Sequence, residues 1–432
     1  MIQSVADTLF KYLVIEVLLG AGVWLTLRTG VVQLRRFAEA WNVAFVRRGS
    51  GEGALTPFQA FMTALAASIG TGNIAGVATA IVSGGPGALF WIWVYGFFAM
   101  SIKFGEATLG VSFREARGTA VLSGPMYYLR DGLKSPFLAW LFALVAAVAA
   151  LTTTPFTQPN SIALVVNSVF GIPKLWIGIV VAVLTWLVII GGIKTIGRAA
   201  ERLSPLKVGL YLAGGLIVIG ANATKLPAVF QMILREAFTT HSLMGFGFFV
   251  AIRYGVARGI YANEAGYGTA AVAYGTAQST QPIQQGLNAV IEVFTVSFVT
   301  STISAMTILL TGVWQSGATS SAAVAAGFNS VMPTIGGWIV AFCVFLFGYT
   351  TLIGWAYYGE QFFEYILGRK VTLPYRWIYC ILIPFGAITK VDLVWAWGDL
   401  MNALQVFPNL IGVVGLSAVV GRIARERLTT NS

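Results

Sequence analysis

Apolar runs long enough to cross a bilayer core of roughly 30 Å recur from one end of this 432-residue chain to the other. In lipid every backbone N–H and C=O must find a partner within the protein, so runs of this length fold as helices. The spans are predicted at 8–27, 56–82, 86–113, 137–168, 174–193, 206–222, 243–275, 283–312, 335–366, 376–389 and 393–421, eleven in all. A chain that is 57% apolar and only 10% charged fits this reading and is far from a soluble domain. The first run lacks a basic leader and a small-residue cleavage site, so it reads as a retained helix. The fourth, seventh, ninth and eleventh runs exceed a straight crossing, which predicts tilt, kinks or ends outside the bilayer.

The net charge of +11 invites a nucleic-acid reading, but its placement argues against one. Arg28, Arg35, Arg36, Arg47 and Arg48 lie in one loop, and Arg114, Arg117, Arg130 and Lys134 in the next but one. Lys194, Arg198, Arg202 and the flanking Lys207 follow, then Arg369, Lys370 and Arg376, then Arg422, Arg425 and Arg427 in the tail. Basic residues in alternate loops are the positive-inside pattern. It predicts an N-terminus outside and a C-terminus in the cytoplasm, with the lipid bilayer, not nucleic acid, as the partner of the basic surplus. Cys343 and Cys380 fall inside spans without metal-ligand or disulfide spacing.

Within the second span, Ser68 to Gly76 reads Ser-Ile-Gly-Thr-Gly-Asn-Ile-Ala-Gly. Gly, Thr and Asn all weaken a helix interior. A helix broken at membrane depth is tolerated only where its freed groups are buried in protein or line a cavity. The seventh span carries Gly245, Gly247, Gly255 and Gly259. Setting the first helix aside leaves ten, readable as five plus five, with these two spans at the head of each half and in opposite orientation. Paired interrupted helices of this kind point to a secondary transporter. Glycines that merely allow close helix packing give the same pattern. No linker divides the chain, so 1–432 is read as one transmembrane domain: an extra helix and loop over 1–55, a first repeat over 56–222 and a second over 243–421.

Several stretches resemble the alanine/glycine:cation symporter (sodium:alanine symporter) family. They are Gly84 to Trp93, Ser68 to Gly76, Gly124 to Tyr128, Gly191 to Lys194, Arg253 to Gly268, and Gly354 to Glu360. The resemblance runs in order along nearly the whole chain. Ile92 stands where the family usually has Met, and Pro159 between Gln158 and Asn160 is atypical. The family is similar in fold to the bacterial leucine transporter, with inverted five-helix repeats. The resemblance implies sodium-driven import of a small neutral amino acid, alanine or glycine, across the plasma membrane of a prokaryote, with no cofactor beyond the coupling ion.

The chemistry of the first break suits a zwitterion. N–H groups at Thr71 and Gly72 make a positive helix start fit for a carboxylate, and the Thr71 hydroxyl and Asn73 amide add donors. Carbonyls from Ala66 to Ile69 make a negative end fit for sodium or an ammonium. The Gly-x-Gly pattern is no dinucleotide fingerprint, because that needs a strand before it. By position, the resemblance maps a sodium site to Ala66, Ile69, Phe347, Thr350 and Thr351, neutral oxygens that suit a hard monovalent cation. Thr350 and Thr351 bonding back along their own helix is the plainer alternative. Trp355 shares the face of Thr351 and either limits the substrate side chain or packs structurally. Gln158 is either a substrate contact or interhelical glue. Phe249 and Ile252 are expected as apolar pocket walls, with the second break anywhere from Gly245 to Gly255.

Ionisable residues inside the spans call for partners. Lys103 and Glu106, spaced i, i+3, are expected to neutralise one another, and Arg253, Arg258, Glu264, Glu292 and Glu360 to form a gate or scaffold network. A proton relay, and with it proton-coupled symport, is the alternative. His241 is expected in a loop. No repeated ring of charges supports a passive channel, and no metal-ligand or Ser/His/Asp cluster supports an enzyme.

Overall fold

The computed structural model describes residues 13–117, 120–239 and 247–428. Among the described residues it is helical apart from one small antiparallel ribbon, β1 (Glu115–Arg117) with β2 (Ala120–Leu122), and an isolated parallel bridge between Leu55 and Ala277. The principal helices are α1 (Ile15–Arg28), α2 (Pro57–Ser68), α3 (Ala75–Gly84), α4 (Ala88–Ser112), α5 (Pro136–Thr152) and α6 (Thr154–Phe170). Then follow α7 (Lys174–Ile189), α8 (Gly192–Ala221), α9 (Leu226–Phe238), α10 (Phe248–Asn263), α11 (Thr269–Gly275), α12 (Pro282–Phe294) and α13 (Ser301–Thr311). The chain closes with α14 (Ser320–Val331), α15 (Ile335–Leu367), α16 (Thr372–Ile388), α17 (Val391–Gly415) and α18 (Ser417–Ile423).

Among the described residues six helices are long and apolar enough to cross a membrane, or eight if each of two bent pairs is one span. Ile15–Arg28, Lys174–Ile189 and Phe248–Asn263 are shorter, so length and composition alone do not reach the expected eleven. Two of these principal helices stand where no span is expected. Leu226–Phe238 carries Arg235 and Glu236, and Ser320–Val331 is built largely of Ala, Ser and Gly, so neither reads as a crossing. Their packing still orders them: α9 lies against α4 and α10, and α14 against α15 and α3.

The first break forms where the composition places it. The start of α2 is fixed by Thr56-Pro57-Phe58-Gln59: Thr56 Oγ1 accepts from the Gln59 N–H at 3.1 Å and Gln59 Oε1 from the Thr56 N–H at 3.2 Å, with Pro57 at the first helical position. Helical geometry ends at Ile69, and Gly70 is extended, at φ −105° and ψ −168°. A 3-10 turn over Thr71–Asn73 starts the second half, and the two halves bend by 61°. Across from it, the span over 282–311 holds a π-helical stretch, Thr295–Thr300. Such stretches interrupt regular helix at functional sites. Here it faces the break, with the Thr300 hydroxyl donating to Asn73 Oδ1 and Ser304 Oγ to the Asn73 carbonyl at 2.6 Å.

The second break lies at Glu264 to Gly268, later in the chain than expected. Glu264 takes the left-handed region at φ +57°, Gly266 sits at +96° and Gly268 at +80°. Gly255 and Gly259 serve packing instead. A Cβ on Gly255 would meet the Ala88 carbonyl oxygen at 2.4 Å, and one on Gly259 the Tyr95 ring at 3.0 Å. Their bare backbone lets α10 lie close on α4. Gly245, like His241, lies outside the described residues.

Candidate functional site

The two breaks and the start of α6 surround a small polar cavity of about 20 Å3, room for about one water molecule. Ser68, Gly70 and Gly72 line it from the first break, Thr153, Thr154 and Gln158 from α6 and the turn before it, Tyr261, Glu264 and Tyr267 from the second break, Thr351 and Trp355 from α15, and Asn402 from α17.

Thr71 and Gln158, both expected at the substrate, meet directly. Gln158 Oε1 accepts from the Thr71 N–H at 3.1 Å and from the Thr71 hydroxyl at 3.0 Å. An amide oxygen thus sits at a positive helix start, where a carboxylate oxygen would be received. Gly70 allows this approach: a Cβ there would lie 2.7 Å from Thr351 Oγ1 and 3.2 Å from Gln158 Oε1. Gly72 lines the cavity too, but what it admits is the Tyr261 ring, 2.6 Å from where its Cβ would be. Pro159 does not disrupt α6, which runs through it. Asn160 beside it ties α6 to α16, donating to the Gly386 and Thr389 carbonyls.

Three expected substrate contacts need correction. Asn73 turns back into the break, its Nδ2 donating to the Ser68 carbonyl at 3.0 Å, so it braces the unwound chain rather than lining the cavity. Phe249 is 78% exposed, and Ile252 lies on the same early part of α10, away from the cavity. With the break at Glu264, the pocket wall from this helix is Tyr261 instead. Trp355 does line the cavity, and its indole Nε1–H donates to Glu264 Oε1 at 2.7 Å.

The oxygens mapped to sodium converge, but on a side chain. The Lys207 ammonium, fully buried on α8, donates to the Ile69 carbonyl at 2.6 Å, the Ala66 carbonyl at 3.1 Å and Thr350 Oγ1 at 2.6 Å. It also lies 5.4 Å from the centre of the Phe347 ring. The Phe347 carbonyl accepts from Thr350 Oγ1, and Thr351 Oγ1 donates to the Ala66 and Ala67 carbonyls. The cation at the centre of this set is therefore an ammonium belonging to the chain. Lys207 also leaves the charge map, because α8 carries it away from the basic loop and into the bundle. Its place inside the span predicted at 206–222 is the available signal, since a charge within a span needs a partner.

The internal charges pair across helices rather than along them. Lys103 donates to Glu292 Oε1 at 2.5 Å and to the Asn263 carbonyl at 2.6 Å, not to Glu106. Glu292 also accepts from Ser68 Oγ and from the Tyr274 hydroxyl, joining both broken spans to α4. Glu106 Oε1 accepts from the N–H groups of Gly266 and Gly268 and from Asn409 Nδ2, at 2.9, 3.1 and 2.7 Å. Arg258 pairs with Asp399 at 2.8 Å and Arg376 with Glu360 at 2.7 Å. The residues missed from sequence are those that gain meaning only when helices meet: Lys207 as a buried cation, Tyr261, Tyr267 and Asn402.

Known proteins match this chain from end to end. The model of the sodium:alanine symporter family covers residues 1–429. The sodium/alanine symporter AgcS of Methanococcus maripaludis is 38% identical over 433 residues, 97% of this chain and 95% of its own. An uncharacterized transporter of Haemophilus influenzae is also 38% identical, over 93% of this chain and 90% of its own. The crystal structure of MhsT in complex with L-phenylalanine superposes with a TM-score of 0.61 at 13% identity, covering 86% of this chain and 98% of that one, a likeness of fold. The chain belongs to the sodium:alanine symporter family, and it is a membrane transporter, not an enzyme.

Proposed function

We propose that this protein imports a small neutral amino acid, alanine or glycine, together with sodium by alternating access. The observation that carries the reading is the Gln158 amide oxygen on both donors of Thr71, a neutral acceptor that a substrate carboxylate can replace. Thr71, Gly72 and Gln158 take the carboxylate, and Trp355 and Tyr261 crowd the remaining space so that only a small side chain enters. Residues 56–222 and 243–421 act as inverted halves, with 1–55 outside them. The charge placement supports a prokaryotic plasma membrane protein with its N-terminus outside and its C-terminus in the cytoplasm.

Purified protein in lipid vesicles is expected to accumulate labelled alanine under an inward sodium gradient and not without one. Equal accumulation under a proton gradient, with no sodium present, overturns sodium coupling. One observation favours that second, proton-coupled reading: Lys207 already occupies three of the oxygens assigned to sodium, and an ammonium is a group that can lose its proton.

A further inference from the structure

The cavity has a second pole that the carboxylate reading leaves unused. Glu264 lines it, is only 6% exposed, and is held in the left-handed region at φ +57°. A non-glycine residue there is strained, and such strain persists where surrounding structure over-determines it. The carboxylate accepts from Trp355 Nε1–H at 2.7 Å on one oxygen and from the Thr269 hydroxyl at 3.1 Å on the other. Both donors are neutral. A carboxylate offers about four acceptor positions, so each oxygen retains one.

Among the described residues no cation forms a salt bridge with Glu264: Lys103 is engaged by Glu292, Arg258 by Asp399 and Lys207 by backbone carbonyls and Thr350, so Lys103 and Lys207 reach Glu264 only through longer-range attraction. A buried charge with no counter-charge in contact is costly, and a ligand bearing the opposite charge reduces that cost. Two further groups on the cavity wall point the same way. The Tyr267 hydroxyl and Thr153 Oγ1, on residues 2% and 3% exposed, have no hydrogen-bond partner. Buried polar atoms are normally paired, so orphans facing one cavity mark it as built for a polar guest.

We propose that Glu264 receives the protonated amine of the transported molecule, so that the site selects amino acids and turns away the matching hydroxy acids and plain carboxylic acids. This rests on the transport reading above and deepens it. The guest spans the cavity as a zwitterion, with its carboxylate at Thr71 and Gln158 and its ammonium at Glu264. The Tyr267 hydroxyl accepts a further ammonium hydrogen. A site that hydrogen-bonds a substrate group rejects the analogue lacking it by roughly 10⁴-fold, because its buried polar groups are then left unpaired. Size alone discriminates far less.

The test uses purified full-length protein and matched pairs: alanine with lactate, glycine with glycolate, serine with glycerate. Binding is read as a ligand-induced rise in melting temperature at fixed sodium, and uptake as competition against labelled alanine in vesicles. Each amino acid is expected to stabilise and compete, and its hydroxy acid to need at least about 100-fold more for the same effect. Lactate competing within tenfold of alanine overturns the proposal. Glu264→Gln is expected to raise the alanine KM about 100-fold with the sodium concentration for half-maximal uptake unchanged. A variant that shifts the sodium requirement but not the alanine KM makes Glu264 a sodium ligand, which also overturns it. The matched pairs are decided on the native protein should the variant not fold. Failure of sodium-driven alanine uptake sinks the transport reading alone, because the binding arm still compares amines with their hydroxy twins.

Discussion

The two broken helices face the same problem, freed backbone groups deep in the bundle, and close it with different partners. At both, the carbonyl end takes a lysine: Lys207 on Ala66 and Ile69, and Lys103 on Asn263. This is the sign a helix C-terminus favours. The N–H ends differ. At the second break Glu106 supplies a full negative charge to Gly266 and Gly268. At the first, Thr71 has only the neutral amide of Gln158. The second break is thus closed by charge at both ends, while the first keeps one end on a weaker acceptor that a carboxylate can displace. Of the two backbone breaks, the first is the one whose N–H end rests on a neutral acceptor.

The largest expected effect comes from unfinishing the other one. Glu106→Ala strips the acceptor from two backbone N–H groups and from Asn409, and is expected to cost about 3–5 kcal/mol, seen as a fall in melting temperature and in folded yield. Glu106→Gln keeps an acceptor and should lose roughly half as much. Equal stability of the native and Glu106→Ala proteins would remove the contrast between the breaks. Next is Lys207→Met, which leaves the Ile69 carbonyl and Thr350 Oγ1 without the Lys207 donor and the Ala66 carbonyl with only the Thr351 hydroxyl, a loss of about 3 kcal/mol. Because those neutral oxygens suit a hard monovalent cation, sodium is expected to raise the melting temperature of this variant more than that of the native protein. No such difference would mean that the oxygen set is specific for an ammonium.

Smaller changes sharpen the first break. Gln158→Glu gives it the charged acceptor of the second, and repulsion between two carboxylates is expected to raise the alanine KM about 100-fold. Thr71→Val removes one of the two donors, worth about 1 kcal/mol, or a KM several-fold higher. If Gln158→Glu transports as well as the native protein, the substrate carboxylate does not bind at Thr71.

How much of this is legible in the sequence follows from what each signal can encode. Gly70 and Gly72 among Ser, Thr and Asn mark a local failure of helix, and the break is there. Gly255 and Gly259 look alike in sequence but serve contact with α4, since a missing Cβ answers equally to backbone freedom and to a neighbour's approach. The second break instead combines a strained Glu264 with Gly266 and Gly268, and depends on Glu106 from another helix. Lys103 and Glu106 are close in sequence, yet both find better partners across the bundle. Spacing along one helix predicts who can meet, not who offers the lower energy. Lys207 reads as part of a basic loop because such residues near span ends usually orient a protein. Where α8 enters the bundle is a tertiary fact.

The smallest expected effect is the one that tests the corrected position of the second break. If the break lay between Gly245 and Gly255, Phe249 would wall the pocket, and cutting its ring to a methyl would enlarge the site and admit bulkier amino acids. With the break at Glu264, Phe249 sits well before the unwound segment, and its ring is 78% exposed on the surface of the bundle. Phe249→Ala should then leave the alanine KM and the preference for alanine over larger amino acids within about twofold, in line with the small effects typical of surface substitutions. Tyr261→Phe, at the true pocket wall, supplies the contrast: it keeps the ring that packs on Gly72 and removes only a hydroxyl. A relaxed preference in the Phe249 variant, with Tyr261→Phe unchanged, would put the pocket back at the start of α10.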